Sequence, residues 1–313
     1  MKRFILLLVV ALAIFCAGSA FLIGGGPLKF MISGEAGSIV AVLAAAFAIA
    51  AFGFGAVSGD YSWVDRLWST VPVVFAWIYA VKGEHSLASF LAAALVTVWG
   101  VRLTQNFARR GGYTGTEDYR WAIMRSRIAS PVAWQFFNAA FICGAQLGVI
   151  ALFMTPIGRI AEARSVVQPR VFVAVSVLAL VCIAIETVAD AQRWKFHERK
   201  DAVAQGQAPA DSEVSGGFAS SGLFRLSRHP NYFGELGFWW CIYFLGAAAD
   251  GNVINWTISG PIALSAIFAG SIPFTESISA SKYPEYAKYR RRTSVLIPWF
   301  PGKTNGTGYL DGA

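Results

Sequence analysis

VFVAVSVLALVCIAIETVAD, residues 171–190, is an unbroken apolar run that takes on two acids only at its end. Coiled as a helix, such a run crosses about 30 Å of hydrocarbon, for which roughly 17 to 25 residues suffice. Helix is also the form that satisfies every backbone N–H and C=O without water. Working outward, comparable windows recur at 4–24, 38–58, 66–82, 87–106, 132–154, 232–249 and 253–275. The whole composition agrees: 56% of the 313 residues are hydrophobic and 14% charged, against about 25% charged in soluble domains, and the mean hydropathy is +0.52. These observations predict an all-α integral membrane protein, a bundle of about seven or eight transmembrane helices joined by cytoplasmic loops.

The first window has two readings, a membrane helix or a signal peptide, because Lys2 and Arg3 precede it and AGSA follows. The four cysteines, Cys16, Cys143, Cys182 and Cys241, fall inside apolar windows with no CxxC or Cys/His pairing, which argues against disulfides and zinc alike. Of the 26 Lys and Arg, only Lys29, Lys82, Arg159, Arg164 and Arg170 fall in alternate loops once the N-terminus is placed in the cytoplasm, and Arg102 stays inside a span. The remaining cations gather on the other side, which by the positive-inside rule puts both termini in the cytoplasm. The net charge of +8 is then a one-sided field suited to anionic lipid or an anionic cofactor. No nucleic-acid partner is indicated.

KDAVAQGQAPADSEVSGGFASSG, 200–222, reads as a flexible polar loop, either a lid or a plain linker. Gly55 and Gly59 are spaced GxxxG, a pattern of close helix packing. GFG at 53–55 follows no strand and lacks a third glycine, so it is no dinucleotide fingerprint.

Ionisable residues in or beside a span cost about 2.5 to 3.5 kcal/mol each on insertion scales, which makes them functional candidates. Asn231 and Glu235 stand at i and i+4 on one helix face, with Gly234 where a flat ligand could approach the backbone. Together they offer the donor and acceptors that a carboxamide needs; the alternative is an ion pair of Glu235 with Arg228. Glu186 and Asp190 repeat the spacing, serving either a ligand or, for Asp190, pairing with Arg193 or Arg199. Arg102 and Asn106 lie deep in the fourth window, followed by Arg109 and Arg110, and Arg102 is too far inside to reach water comfortably. Asp65 leads a span rich in Trp and is either a helix cap or a ligand-facing acid.

Five segments taken together, GLFRLSRHPNYFGE at 222–235, ETVADAQRWKFHER at 186–199, VDRLWSTVP at 64–72, RL…N…RRG at 102–111 with EDYRW at 117–121, and SKYPEYAKYRRRTSVLIPWFP at 281–301, resemble the steroid 5α-reductase C-terminal superfamily. The likeness is closest to its bacterial branch, which implies a bacterial inner membrane. It covers residues 38–300 as the catalytic domain, leaving 1–37 as an added helix with an external loop and 301–313 as a tail. The superfamily also holds sterol C14 and C7 reductases and isoprenylcysteine methyltransferases; a Glu directly after Gly234 looks more like the reductases.

The resemblance implies NADPH entering from the cytoplasm, over which the loops would fold, and a lipophilic enone such as a 4-ene-3-oxo steroid entering from the surrounding lipid. It places Asn231 and Glu235 near the nicotinamide, and Asp190 and Glu186 on the helix lining the nucleotide. Arg102, Asn106, Arg110 and Arg120 fall on the cofactor side, as do Arg228, His229, Tyr283, Tyr286, Arg290 and Arg291. Asp65 matches the acid that faces the substrate ketone. Where animal members carry a Tyr three residues before the arginine of the fourth span, this chain has Trp99, which leaves open the second donor to the ketone. The activity implied is hydride transfer to the β-carbon of an α,β-unsaturated ketone, with a protonated Asp65 stabilising charge on the carbonyl oxygen.

Overall fold

The computed structural model describes residues 34–115, 117–128 and 130–302, and among these the chain is helical, without a strand. The first apolar window, with Lys2, Arg3 and Cys16, lies outside the described residues. The helices are α1 (Glu35–Ser58), α2 (Trp63–Leu67), α3 (Val71–Lys82), α4 (Leu87–Arg109), α5 (Tyr119–Arg127), α6 (Pro131–Phe137), α7 (Gln146–Phe153), α8 (Thr155–Glu162), α9 (Pro169–Ala204), α10 (Ser212–Gly216), α11 (Pro230–Asp250), α12 (Ser259–Lys282) and α13 (Tyr286–Arg292). A wider π-helical stretch, Asn138–Ala145, joins α6 to α7.

Five of these stretches are long and apolar enough to cross a membrane: Glu35–Ser58, Leu87–Arg109, Pro131–Glu162, Pro169–Ala204 and Trp256–Lys282. Against the seven or eight expected, five stretches meet this length and composition among the described residues, and the first window lies outside them. Window 66–82 breaks at Trp68–Thr70, because Pro72 belongs to the first turn of a new helix, where its missing N–H costs nothing. The resulting α3 has 12 residues, about 18 Å, too short to span alone. Helix α11 has 21 residues, but its amide, acids, tryptophans and glycines dilute its apolar character.

Capping sets several boundaries. Ser86 accepts from the Ser89 N–H at 3.2 Å to start α4, and Asp118 accepts from the Arg120 N–H at 2.9 Å to start α5. Helix α1 stops where Gly59 turns left-handed, φ 72°, a conformation open to glycine at little cost. Gly59 therefore ends the helix and does not extend a packing stripe. Only Gly55 of the pair packs closely, its Cα facing Tyr61 and the Asp60 carbonyl.

The described chain forms two compact units: one of residues up to Val177 with Trp239–Leu264, the other of Leu178–Phe238 with the residues from Ser265. In the first unit α3, α4 and α8 pack mutually. Trp99 and Trp239 are fully buried and meet edge to face at 4.8 Å, with Phe153 4.1 Å from Trp239, an arrangement aromatic quadrupoles favour. Trp99 is thus a core residue of this unit. Its two ends are separately laced: at one, Glu84 N–H reaches the Ala161 carbonyl and Val167 and Gln168 N–H groups reach Ala249 and Ala248 carbonyls; at the other, residues 58–66 meet 112–125.

In the second unit α9 and α11 approach until a Cβ added at Gly234 would lie 2.4 Å from Glu186 Cγ and 2.8 Å from the Cys182 carbonyl oxygen. Small residues at such crossings let helix backbones pack without a side chain between them. The stretch 200–222, expected as a flexible polar loop, is helical as far as Ala204 and stitched beyond it. Arg199 reaches Asp211 and Glu213 at 2.5 Å each, and the Glu213 carboxylate accepts from the backbone N–H groups of Ser220 and Ser221 at 2.5 and 2.8 Å. Burial pushes the Glu213 carboxyl up, but these hydrogen bonds and Arg199 outweigh it and hold it below the usual carboxylate range.

Candidate functional site

Candidate residues fall in both units. Asp65, Arg102, Asn106, Arg110 and Arg120 belong to the first; Glu186, Asp190, Arg228, His229, Asn231, Glu235, Tyr283, Tyr286, Arg290 and Arg291 belong to the second.

In the first unit Asp65 is the third residue of α2, not its cap; the cap position is held by Ser62. The Trp121 indole N–H donates to Asp65 Oδ2 at 2.7 Å, and Arg120 Nη2 stands 3.7 Å from Oδ1. The side chain is 14% exposed. Burial pushes its carboxyl above the usual range, against the downward pull of Arg120 and the Trp121 hydrogen bond, because the anion loses hydration it does not fully recover. Arg120 is itself held by Asp118, Nε to Oδ1 at 2.8 Å.

This corner is built from chain segments far apart in sequence. Asp118 N–H donates to the Ser62 hydroxyl at 2.8 Å and Tyr61 N–H to Glu117 Oε1 at 3.2 Å. Arg66 joins Asp60 at 2.5 Å and the Gly112 carbonyl at 3.0 Å. The paired expectation for Arg102 and Asn106 resolves differently for the amide, whose Oδ1 accepts from Arg109 Nη2 at 2.7 Å. Asn106 therefore orients Arg109, one turn further on.

The second unit centres on a residue the sequence reading passed over. Glu276 of α12, 4% exposed in its side chain, binds Arg228 Nε at 2.6 Å, His229 Nε2 at 3.1 Å and Arg290 Nε at 3.2 Å. Arg228 also donates to the carbonyls of Arg290 and Thr293, at 2.9 and 2.5 Å. Burial pushes the His229 imidazole below its ordinary range despite Glu276. A neutral ring with its proton on Nε2 is then the donor to the carboxylate. The acid that Arg228 takes is thus on α12, whereas the sequence offered Glu235 for it; an acid inside an apolar helix was the available signal.

Asn231 opens the first turn of α11, and its Oδ1 is buried without a hydrogen-bond partner among the described residues. A buried, unmatched acceptor costs about 1 to 3 kcal/mol, a cost that an ordered water or the donor of a bound ligand would remove. Glu235, one turn on, and Glu186 and Asp190 of α9 are all buried. Gly234, read as an opening for a flat ligand, is instead the contact with Glu186 and Cys182: the space is filled by α9. Nor is Arg199 the partner of Asp190 that the sequence offered, since it serves Asp211 and Glu213.

Nearby residues of the same unit are structural in their contacts. Tyr283 accepts from Lys200 Nζ at 2.9 Å. Tyr286 meets Phe218 edge to face at 5.0 Å, and burial pushes its phenol up to about 12. Arg290 retains a half-exposed side chain, and Arg291 is exposed. The three described cysteines, Cys143, Cys182 and Cys241, are buried.

The chain is similar to an uncharacterized protein of Schizosaccharomyces pombe, C594.04c, with 33% identity over 254 residues, covering 77% of this chain and 73% of that one. No solved structure matches it. Residues 51–293, which include Asp65, the acids of α9 and the Glu276 cluster, match the model of the family described as a protein of unknown function (DUF1295), and the chain belongs to that family.

Proposed function

We propose that this protein is an NADPH-dependent reductase of the steroid 5α-reductase-like group, reducing the C=C bond of a lipophilic α,β-unsaturated ketone within a membrane. The observation that carries the reading is Asp65: a carboxyl at the start of an apolar stretch, gripped by the Trp121 indole, whose burial favours the proton-bearing form. Such a group can donate to a carbonyl oxygen as negative charge grows there, and a donor matched to that charge stabilises the transition state more than the ground state.

The second unit's residues fit the cofactor. The unmatched Asn231 oxygen supplies an acceptor for a carboxamide N–H, with Glu235 beside it. Arg291 and the exposed half of Arg290 suit phosphate oxygens, for which the guanidinium fork is shaped. When bound, NADPH would supply the hydride. Arg228 and His229 support this arrangement indirectly, holding Glu276 and the α13 backbone so that Arg290 is positioned.

The test is NADPH oxidation by purified protein in nanodiscs, with and without a 4-ene-3-oxo steroid and simpler lipophilic enones. Enone-dependent oxidation with saturated ketone as product is the expected result. Stabilisation by S-adenosylmethionine with no response to NADPH would replace the reading with a membrane methyltransferase.

A further inference from the structure

Beyond α13 the chain bends through 295–297, folds back so that Gly302 N–H donates to the Arg292 carbonyl at 3.0 Å, and is pinned to the residues before α11. Arg228 N–H donates to the Ser294 carbonyl at 2.8 Å, the Ser227 hydroxyl to the Leu296 carbonyl at 2.8 Å, and Trp299 N–H to the Leu226 carbonyl at 2.9 Å. Leu296 and Pro298 are half-buried, whereas Val295, Ile297 and Trp299 are 42, 65 and 71% exposed, followed by Phe300 at 82%. This is not a frayed end: the hydrogen bonds hold out an apolar edge that water would disfavour.

Two observations say what covers it. Arg290, Arg291 and Arg292 precede the edge and have exposed side chains, giving it a cationic border. The connection is also short. Helix α12 belongs to a stretch long and apolar enough to cross a membrane and ends at Lys282, and α13 begins at Tyr286. The linking residues reach at most about 14 Å and α13 adds about 10 Å. The strap therefore starts within about 25 Å of a spanning helix's end.

We propose that residues 295–300 form an interfacial anchor. The Val295, Ile297, Trp299 and Phe300 edge seats in the headgroup layer of a membrane containing anionic lipid, and Arg292 meets the lipid phosphates, leaving Arg290 and Arg291 to the cofactor. Tryptophan is favoured at that depth by its apolar body and polar N–H, and basic residues beside an apolar face are the usual pattern of helices and segments that lie on anionic bilayers.

The test uses the full chain in lipid nanodiscs, with Ile297→Cys or Phe300→Cys carrying an environment-sensitive fluorophore. Cys16→Ser removes the one cysteine outside the described residues; the other three are buried. Gln205→Cys, at an exposed polar position, serves as the aqueous reference. Discs contain phosphatidylcholine alone or phosphatidylcholine with phosphatidylglycerol. The expected result is blue-shifted emission and reduced acrylamide quenching at 297 and 300 in the phosphatidylglycerol discs, weakening toward the phosphatidylcholine values in about 1 M salt, where screening acts within about 3 Å. Quenching equal to that at 205 in both lipids overturns the proposal. Equal protection in both lipids overturns the anionic requirement, and protection only in discs holding two copies assigns the edge to a second chain. The readout is independent of turnover, so its failure leaves the reductase reading untouched.

Discussion

Asp65 combines burial with hydrogen bonds from the Trp121 indole at 2.7 Å and the Ser62 side chain, and with a cation at 3.7 Å that is shared with Asp118. If its proton acts on the ketone, Asp65→Asn keeps a weaker N–H donor and Asp65→Leu keeps none. Turnover is expected to fall in that order, Leu losing about 2.7 to 4 kcal/mol, roughly 100- to 1,000-fold, with melting temperature nearly constant. Activity should also decline as pH rises through the raised Asp65 pKa, since only the protonated form donates. An Asp65→Asn enzyme with wild-type turnover and pH profile would remove the residue from the mechanism. The sequence made Asp65 a candidate because an acid beside an apolar run is expensive. It could not reveal Trp121 as its partner, 56 positions away, because only the fold brings α2 and α5 together. Glu276 was legible by the same rule and was overlooked where the polar residues around it, FTESIS, make a helix end look ordinary.

At the scale of elements, α9 and α11 depend on two glycines of unequal tolerance. A Cβ at Gly234 meets the backbone carbonyl of Cys182 as well as Glu186, whereas at Gly237 the close contact is Cys182 Sγ at 2.7 Å, a side-chain end that can rotate. Gly234→Ala is therefore expected to destabilise by about 1 to 3 kcal/mol, the usual cost of overpacking, and Gly237→Ala by less; thermal melts of the two variants in one detergent check the order. Equal losses would mean that the carbonyl contact is not the limiting one. Helix positions themselves were largely readable from apolar windows. The exception at 66–82 shows why: hydropathy averages over Ser69 and Thr70, while the backbone stops and restarts at the proline that follows.

For the whole molecule, the loop assignment expects the cations to gather on the cytoplasmic side, and the first unit supplies two ends on which to test that orientation. Thr114 belongs to the basic stretch that meets residues 58–66, and Glu84 to the turn bonded to Ala161. With both termini cytoplasmic, an impermeant maleimide applied to intact cells should label Glu84→Cys at once and Thr114→Cys only after permeabilisation. Labelling of both from outside would reject this orientation.

Helix α9 has 36 residues, a rod of about 54 Å against roughly 30 Å of hydrocarbon, so a long stretch of it must project into water. Glu186 and Asp190 lie one turn apart near its departure from the apolar run, and biological bilayers differ in thickness by a few Å. Each 1.5 Å of thickening covers one more residue of the rod. Acyl-chain length thereby sets how many residues of the rod beyond Asp190 stand in water, while Glu186 and Asp190, buried in the protein, are shielded from that change.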